Sequence, residues 1–340
     1  MSKSLRSMLI TPLSEMQNGQ VADLFALLSS KEEQKTRDGK LYFRVTFRDA
    51  ARAVSFPIWA DSPWALACRD EWTPGECYKI RGQYRETEYG PQLEIEKIRP
   101  ATPADTADGF DPTELRPHSR FPAVAMFDQL CDLVQERIAC PPLARLVLAI
   151  LVSHRDTLLT LPAAKHHHHA FLAGFLEHVL SVTRTAVFFA DKYDDYYPDL
   201  SPRLDKDLVV AGAVLHDIGK VRELALTSLG TDYTPAGHLI GHILQGRDIV
   251  LEQAARQEQE GHPLDAERLL RLEHMIISHQ RLPEWGSPKP PMTPEALLVH
   301  YADDLDAKYH MVYQALRDDK TAGPLTSPRN FLEQRLYRGG

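Results

Sequence analysis

The side chains able to do chemistry lie far apart along a chain of 340 residues. They are His178 in Leu176-Glu177-His178-Val179, the pair His216-Asp217 in Leu215-His216-Asp217-Ile218-Gly219-Lys220, His242 in Gly241-His242-Ile243, His274 and His279 in His274-Met275-Ile276-Ile277-Ser278-His279, and Asp303 in Tyr301-Ala302-Asp303-Asp304. Apolar neighbours draw each toward an interior. A buried imidazole or carboxylate without a partner is costly there, and several together are most cheaply satisfied by a divalent cation. Any one of these histidines alone is more often an ordinary core or surface residue than a ligand, so the weight rests on the set. Neighbours on a helix point about 100° apart. Gly219 suggests a helix stop just after His216-Asp217, where an ion could take ligands from both. Imidazole and carboxylate together suit manganese, magnesium, iron or zinc, so the donor set does not choose the metal.

These residues need helices to carry them, and the pattern downstream of residue 120 is helical. Apolar positions recur at three and four residues, as in Phe127, Leu130, Val134 and Ile138. Helices are expected over 123–139, 142–154, 170–193, one ending near Asp217, and over 249–259, 265–278 and 293–317. Upstream the period is two: Leu41, Phe43, Val45 and Phe47 alternate with Tyr42, Arg44 and Thr46 after the turn signal Arg37-Asp38-Gly39-Lys40. Further strands are expected over 21–29, 53–59, 78–85 and 92–98. Five short strands in under 100 residues suggest a small closed antiparallel barrel of the OB type. The stretch 101–120, rich in Pro and Asp, reads as a linker. The chemistry-bearing residues therefore belong to a C-terminal all-α bundle over 121–320, behind an N-terminal all-β barrel over 1–100 and followed by a tail, 321–340. Phe331, Leu332 and Leu336 of the tail can pack on the bundle or on another subunit of a homo-oligomer.

A barrel of this type binds single strands with cations along the backbone and aromatic rings for stacking. Arg44, Lys79, Arg81 and Arg85 are the candidate cations, with Tyr42, Trp59 and Tyr89 as candidate rings. The outward face of any such barrel is polar, so a plain solvated surface is the competing reading. The net charge of −8 argues against a nucleic-acid partner until it is divided. Residues 1–100 hold 15 basic and 14 acidic residues, and the acidic excess falls in the histidine-rich remainder. Cys68, Cys77, Cys131 and Cys140 show neither CxxC spacing nor a disulfide framework, and no apolar run is long enough for a membrane span. A cytoplasmic protein with no membrane partner is expected.

The order His, His-Asp, later histidines and a final Asp within helices resembles the HD superfamily of metal-dependent phosphohydrolases. With the barrel in front, and with Lys165-His166-His167-His168-His169, Leu215-His216-Asp217-Ile218-Gly219-Lys220, Glu284-Trp285-Gly286-Ser287-Pro288 and Asp303-Asp304-Leu305-Asp306-Ala307-Lys308, nearly the whole chain is similar to the YhaM-type 3′→5′ exoribonucleases. The resemblance implies a divalent-metal enzyme, typically manganese-dependent, that trims single-stranded RNA, and to some extent single-stranded DNA, from the 3′ end and releases nucleoside 5′-monophosphates. It implies one ion on His178, His216, Asp217 and Asp303, a second on Asp217, His242 and His279, and a lysine, Lys220, that neutralises a phosphate oxygen. Asp217 and Lys220 are then the catalytic pair. One departure stands out. Where relatives often have two consecutive histidines, this chain has His279-Gln280. His274 is either a substitute ligand or a core residue, and His166–His169 suggests a loop near the mouth of the site. The competing functions are an HD-type nucleotide or cyclic-nucleotide phosphohydrolase and a non-catalytic single-strand-binding protein.

Overall fold

A computed structural model describes residues 10–36, 38–165, 169–227 and 230–339. Arg37 of the expected turn and His166–His168 lie outside the described residues. The chain divides into two compact units, residues 1–118 with Thr227–Gly230, and residues 119–226 with 231–340.

The first unit is built on strands β1 (Val21–Lys35), β2 (Leu41–Arg48), β3 (Ala53–Trp59), β4 (Cys77–Thr87) and β5 (Gly90–Pro100), with helix α1 (Ala65–Asp70) between β3 and β4. All neighbours are antiparallel in the order β3-β2-β1-β4-β5, and β3 meets β5, which closes the sheet into an OB-type barrel. Alternation puts Leu24, Ala26, Leu28, Val45, Phe47, Val54, Phe56, Ile58, Tyr78 and Ile80 inside. Phe47 is the hub, its ring 5.8 Å from Trp72 and 5.9 Å from Tyr78.

Strand β1 runs further than the sequence pattern implies. Val21–Leu27 pairs with β4, and after an irregularity between Leu28 and Ser30 the polar end as far as Lys35 pairs with β2. Those last residues show no apolar period because backbone pairing, not burial, holds them. At the β4 irregularity, Gly82 is required by close approach: a Cβ there would sit 2.7 Å from the Glu94 carbonyl oxygen.

The stretch expected to be a bare linker is largely built into this unit. Its prolines and aspartates start short 3₁₀ turns, Pro103–Asp108 and Pro112–Leu115. Asp105 accepts a two-pronged bond from Arg99 and caps the first turn through the Thr102 N–H. Phe110 packs on Phe25 at 5.0 Å, and Leu115 is buried with Phe25 and Leu27. Pro and Asp break helices, but here they also cap, and capping anchors the segment.

The second unit contains α2 (Ala123–Arg137), α3 (Pro141–Ser153), α4 (Arg155–Leu158), α5 (Gly174–Tyr196), α6 (Lys206–Leu215) and α7 (Lys220–Glu223). After the short strands β6 (Leu224–Thr227) and β7 (Gly230–Tyr233) come α8 (Pro235–Leu239), α9 (His242–Gln259), α10 (Ala266–Ser278) and α11 (Pro294–Asp318). The helical bundle thus carries one two-stranded insertion that its helical periodicity does not announce. Helix α6 is its axis: every residue from Leu208 to Leu215 is buried, with α2, α3, α5, α10 and α11 around it. Asp205, Asp265 and Thr293 cap α6, α10 and α11 with side-chain oxygens. Helix α9 starts seven residues before its expected beginning, because Gly241, at φ 77°, is the turn residue outside the helix rather than a break within it. Among the described residues no helix is long and apolar enough to cross a membrane, and the four cysteines are free thiols.

Phe47→Ala removes the barrel's central ring. It is expected to destabilise the protein by about 3–5 kcal/mol, read as a lower urea midpoint in tryptophan fluorescence.

Candidate functional site

Six separate elements bring their polar residues to one point. His178 comes from the second turn of α5, His216 and Asp217 follow the last residue of α6, and Lys220 begins α7. His242 begins α9, His279 follows α10, and Asp303 lies in the middle of α11. His178, His216 and His279 are 0% exposed and Asp217 is 1% exposed, so the chain has spent interior volume on them.

Each of the four histidines has its Nδ1 committed. Those of His216 and His279 donate to the carbonyls three residues back, Ala213 at 2.8 Å and Ile276 at 2.7 Å. A carbonyl oxygen can only accept, so the proton is on Nδ1, and in the neutral ring Nε2 keeps its lone pair. His178 Nδ1 donates to Asp306 at 2.8 Å and His242 Nδ1 to Glu223 at 3.0 Å.

All four Nε2 atoms then face the two aspartates. Asp217 Oδ2 is 3.6 Å from His178 and 3.5 Å from His216, and Asp303 Oδ1 is 3.2 and 3.7 Å from the same two. Asp217 Oδ1 is 3.3 Å from His242 and 3.5 Å from His279. Two sets of donors able to hold a metal result, His178-His216-Asp217 with Asp303 beside it, and Asp217-His242-His279. They share one carboxylate.

The donor set fits divalent ions on two further grounds. Asp217 Oδ1 and His242 Nε2 are buried without a hydrogen-bond partner, and orphaned buried polar atoms are rare unless something else satisfies them. Three carboxylates, Asp217, Asp303 and Glu223, also act on the ammonium of Lys220, which lies 2.5 Å from Asp217 Oδ2. Burial works against charge on His178 and His242, yet the carboxylates of Asp303 and Asp306 raise the first to about 9 and those of Asp217 and Glu223 raise the second to about 9. His216 is pushed down to about 4 by burial. Burial would also raise Asp217, but Lys220 foremost among its neighbours holds it well below the ordinary carboxylate range. A surplus of buried carboxylate charge around these imidazoles is what a divalent cation would neutralise, displacing the protons that His178 and His242 otherwise gather.

Asp306 and Glu223 escaped the sequence reading. Asp306 also receives the Ser181 hydroxyl and His169 Nε2, so it fixes the ring of His178 from behind. Its signal was its spacing, three residues after Asp303 on the same helical face. Glu223 stands three residues after Lys220 and accepts both the backbone N–H and Nδ1 of His242. His169, the one described member of the four-histidine run, belongs to this outer ring of support.

Gly219 does not stop a helix through a left-handed conformation. Its φ is −61°, and the glycine is needed because a Cβ would lie 1.9 Å from the His242 carbonyl oxygen. His274 stays out of the cluster, accepting the Met292 N–H at 2.8 Å. At the departure from the double-histidine pattern, the Gln280 amide turns back to His279 Nε2 at 3.3 Å. Two hollows flank the cluster. One of about 640 Å³ lies beside Asp306 with Arg120, Arg184 and Tyr313 on its walls, and one of about 240 Å³ lies beside His242.

The four barrel cations do not form one free face. Lys79 pairs with Asp108 at 2.5 Å and Asp105 at 3.5 Å, Arg81 with Asp23 and Glu96, and Arg85 with Glu94 at 3.2 Å. Acids on the adjacent strands and in the following turn neutralise the basic side of β4, a cross-strand effect that one strand's pattern cannot reveal. Arg44 is exposed on β2 and, among the described residues, donates to the Ser55 hydroxyl at 3.2 Å with no acid paired to it. The Tyr42 and Trp59 rings lie beside it, 5.0 Å apart on paired positions of β2 and β3, while Tyr89 stands fully out at the β4–β5 turn.

The family model for the HD domain matches residues 175–308, the span from α5 to α11 that holds the entire cluster. Two curated relatives match along nearly the whole chain. The 3′-5′ exoribonuclease YhaM of Bacillus licheniformis is 33% identical over 321 residues, 94% of this chain and 95% of the relative, and that of Bacillus subtilis is 32% identical with the same coverage. The chain belongs to the YhaM 3′-5′ exoribonuclease family. Among solved structures, the second OB-fold domain of replication protein A from Methanococcus maripaludis, by NMR, covers 27% of this chain and 93% of its own at 16% identity with a TM-score of 0.21.

Asp306→Asn keeps the shape of the side chain but sets an amide N–H or a weaker acceptor against His178 Nδ1. Loss of such a partner typically weakens a metal site about 10–100-fold. That drop in Mn²⁺ affinity is expected by equilibrium dialysis, with the melting temperature little changed.

Proposed function

We propose that the protein is a divalent-metal-dependent 3′→5′ exonuclease of single-stranded RNA, acting to some extent on single-stranded DNA and releasing nucleoside 5′-monophosphates. The observation that carries this reading is the convergence of four Nε2 atoms on Asp217 and Asp303 in a member of this family. His178, His216, Asp217 and Asp303 hold one ion, and Asp217, His242 and His279 a second. Manganese is the metal that the family resemblance implies, and an all-nitrogen-and-oxygen donor set is compatible with it. When bound, such an ion supplies Lewis acidity to the phosphoryl oxygens and a nucleophile at neutral pH.

The chain's own groups supply the rest. Asp217 turns Oδ2 to His178 and His216 and Oδ1 to His242 and His279, so it would serve both ions. The Lys220 ammonium, buried against Asp217, stabilises negative charge developing on a phosphoryl oxygen. Glu223 and Asp306 hold the rings of His242 and His178 in orientation, so no reorganisation is needed during reaction. Breaking the P–O3′ bond of the last phosphodiester leaves a 3′-hydroxyl on the shortened strand and phosphate on the 5′ oxygen of the released nucleotide.

The barrel captures the strand. The β2–β3 face, which OB barrels use for oligonucleotides, offers Arg44 with the Tyr42–Trp59 ring pair, whereas Lys79, Arg81 and Arg85 are already paired with acids. Tethered capture raises the local strand concentration, which matters for long substrates.

Incubation of 5′-labelled single-stranded RNA with Mn²⁺ is expected to give a ladder shortening from the 3′ end. The ladder should vanish with a chelator, and in Asp217→Ala the rate should fall by more than the about 10–100-fold typical of an outer-shell partner. Intact RNA in every lane, with hydrolysis of mononucleotides, would instead identify a nucleotide phosphohydrolase; strand binding indifferent to chelator and without cleavage would identify a binding module. In the double variant Arg44→Ala/Trp59→Ala, KM for long RNA is expected to rise about tenfold or more from lost stacking and phosphate contact, with dinucleotide turnover unchanged.

A further inference from the structure

The motif Glu284-Trp285-Gly286-Ser287-Pro288 takes no part in the chemistry above, yet it forms one wall of the 240 Å³ hollow beside the cluster. The opposite wall is Glu223 with Ile240, Gly241 and His242. The hollow therefore ends on a ring whose Nε2 is 3.3 Å from Asp217 Oδ1. Trp285 is half exposed on a 3₁₀ turn, Pro283–Trp285, that is tied down at both ends. Gly286 follows at φ 98°, and Ser287, 0% exposed, accepts the N–H of Gln280 at 3.1 Å, the residue next to His279. The turn that carries the large ring is thus tied to the segment that carries a donor of the cluster. Half-exposed Leu244 and Ile240 extend the apolar surface around it.

We infer that this hollow receives the 3′-terminal nucleobase of the strand and that Trp285 is the ring on which it stacks. The inference rests on the nuclease reading and adds to it the group that positions the last nucleotide. An exonuclease that removes one nucleotide must hold that nucleotide while its 5′ phosphate lies at the reacting centre. A small hollow ending at His242 suits one base and not a longer segment. Stacking on an aromatic face is tolerant of base identity, because every base has a π-face, so the pocket admits any 3′ end.

The test uses the full-length protein and two 5′-labelled RNA strands, identical except that one ends in an abasic 3′ residue. Base stacking is worth about 5- to 150-fold, so the wild type is expected to lose that factor in kcat/KM on the abasic strand, mostly through KM. Trp285→Ala should lose the same factor on the normal strand and distinguish little between the two, and Trp285→Phe should restore most of the difference. Melting temperature and Mn²⁺ affinity are measured alongside and should not move. A Trp285→Ala protein that keeps the wild-type ratio between the strands, or that falls equally on both, overturns the inference while leaving the nuclease reading intact. A wild type that shortens neither strand removes the nuclease reading, and this inference with it.

Discussion

A carboxylate taken out of water must be met by cations or donors that replace the solvent, and Asp217 is as thoroughly removed from water as the apolar core around it. Lys220 and the imidazoles of His178, His216, His242 and His279 surround its two oxygens. Much of the helical unit answers to that requirement. Helix α6 ends one residue before His216 so that His216 and Asp217 both point inward. Helix α9 begins at His242 and packs so closely on the turn that position 219 has no room for a side chain.

Helix ends do most of the positioning. At a C-terminus the last carbonyls lack partners within the helix, and His216 and His279 use their Nδ1 protons to satisfy carbonyls three residues back. One bond both completes the helix end and fixes the tautomer of the ring. The mid-helix donors need another anchor, and for His178 it comes from α11, where Asp303 and Asp306 grip opposite nitrogens of one imidazole. A carboxylate on either side of the buried ring raises His178, whereas burial without that pair lowers His216.

The barrel obeys a different balance. Its basic and acidic residues are nearly equal in number, and the structure spends most of the cations of β4 on acids of β1, β5 and the following turn. What remains toward solvent on β2 and β3 is one arginine and a pair of aromatic rings. On the proposed reading, stacking and a local charge, rather than a broad positive field, would hold a strand there, which accords with the protein's net charge of −8.

The chain by itself determined the strand and helix periods, and with them the barrel and the bundle. It also brought forward His178, His216, Asp217, His242, His279 and Asp303 as costly polar residues embedded in apolar runs, but the resemblance to the HD superfamily, not that pattern, set them apart from His274. It could not disclose Asp306 or Glu223 as supports of the cluster, since a single acid on a helix has no pattern. It could not show that the alternating cations of β4 pair with acids once the neighbouring strands are in register, and it misread Gly219, whose reason is a carbonyl 23 residues away in sequence. Local pattern records which residues must be buried or exposed. Only the folded chain decides which of them meet, because partners across strands and between helix ends are set by packing and not by spacing.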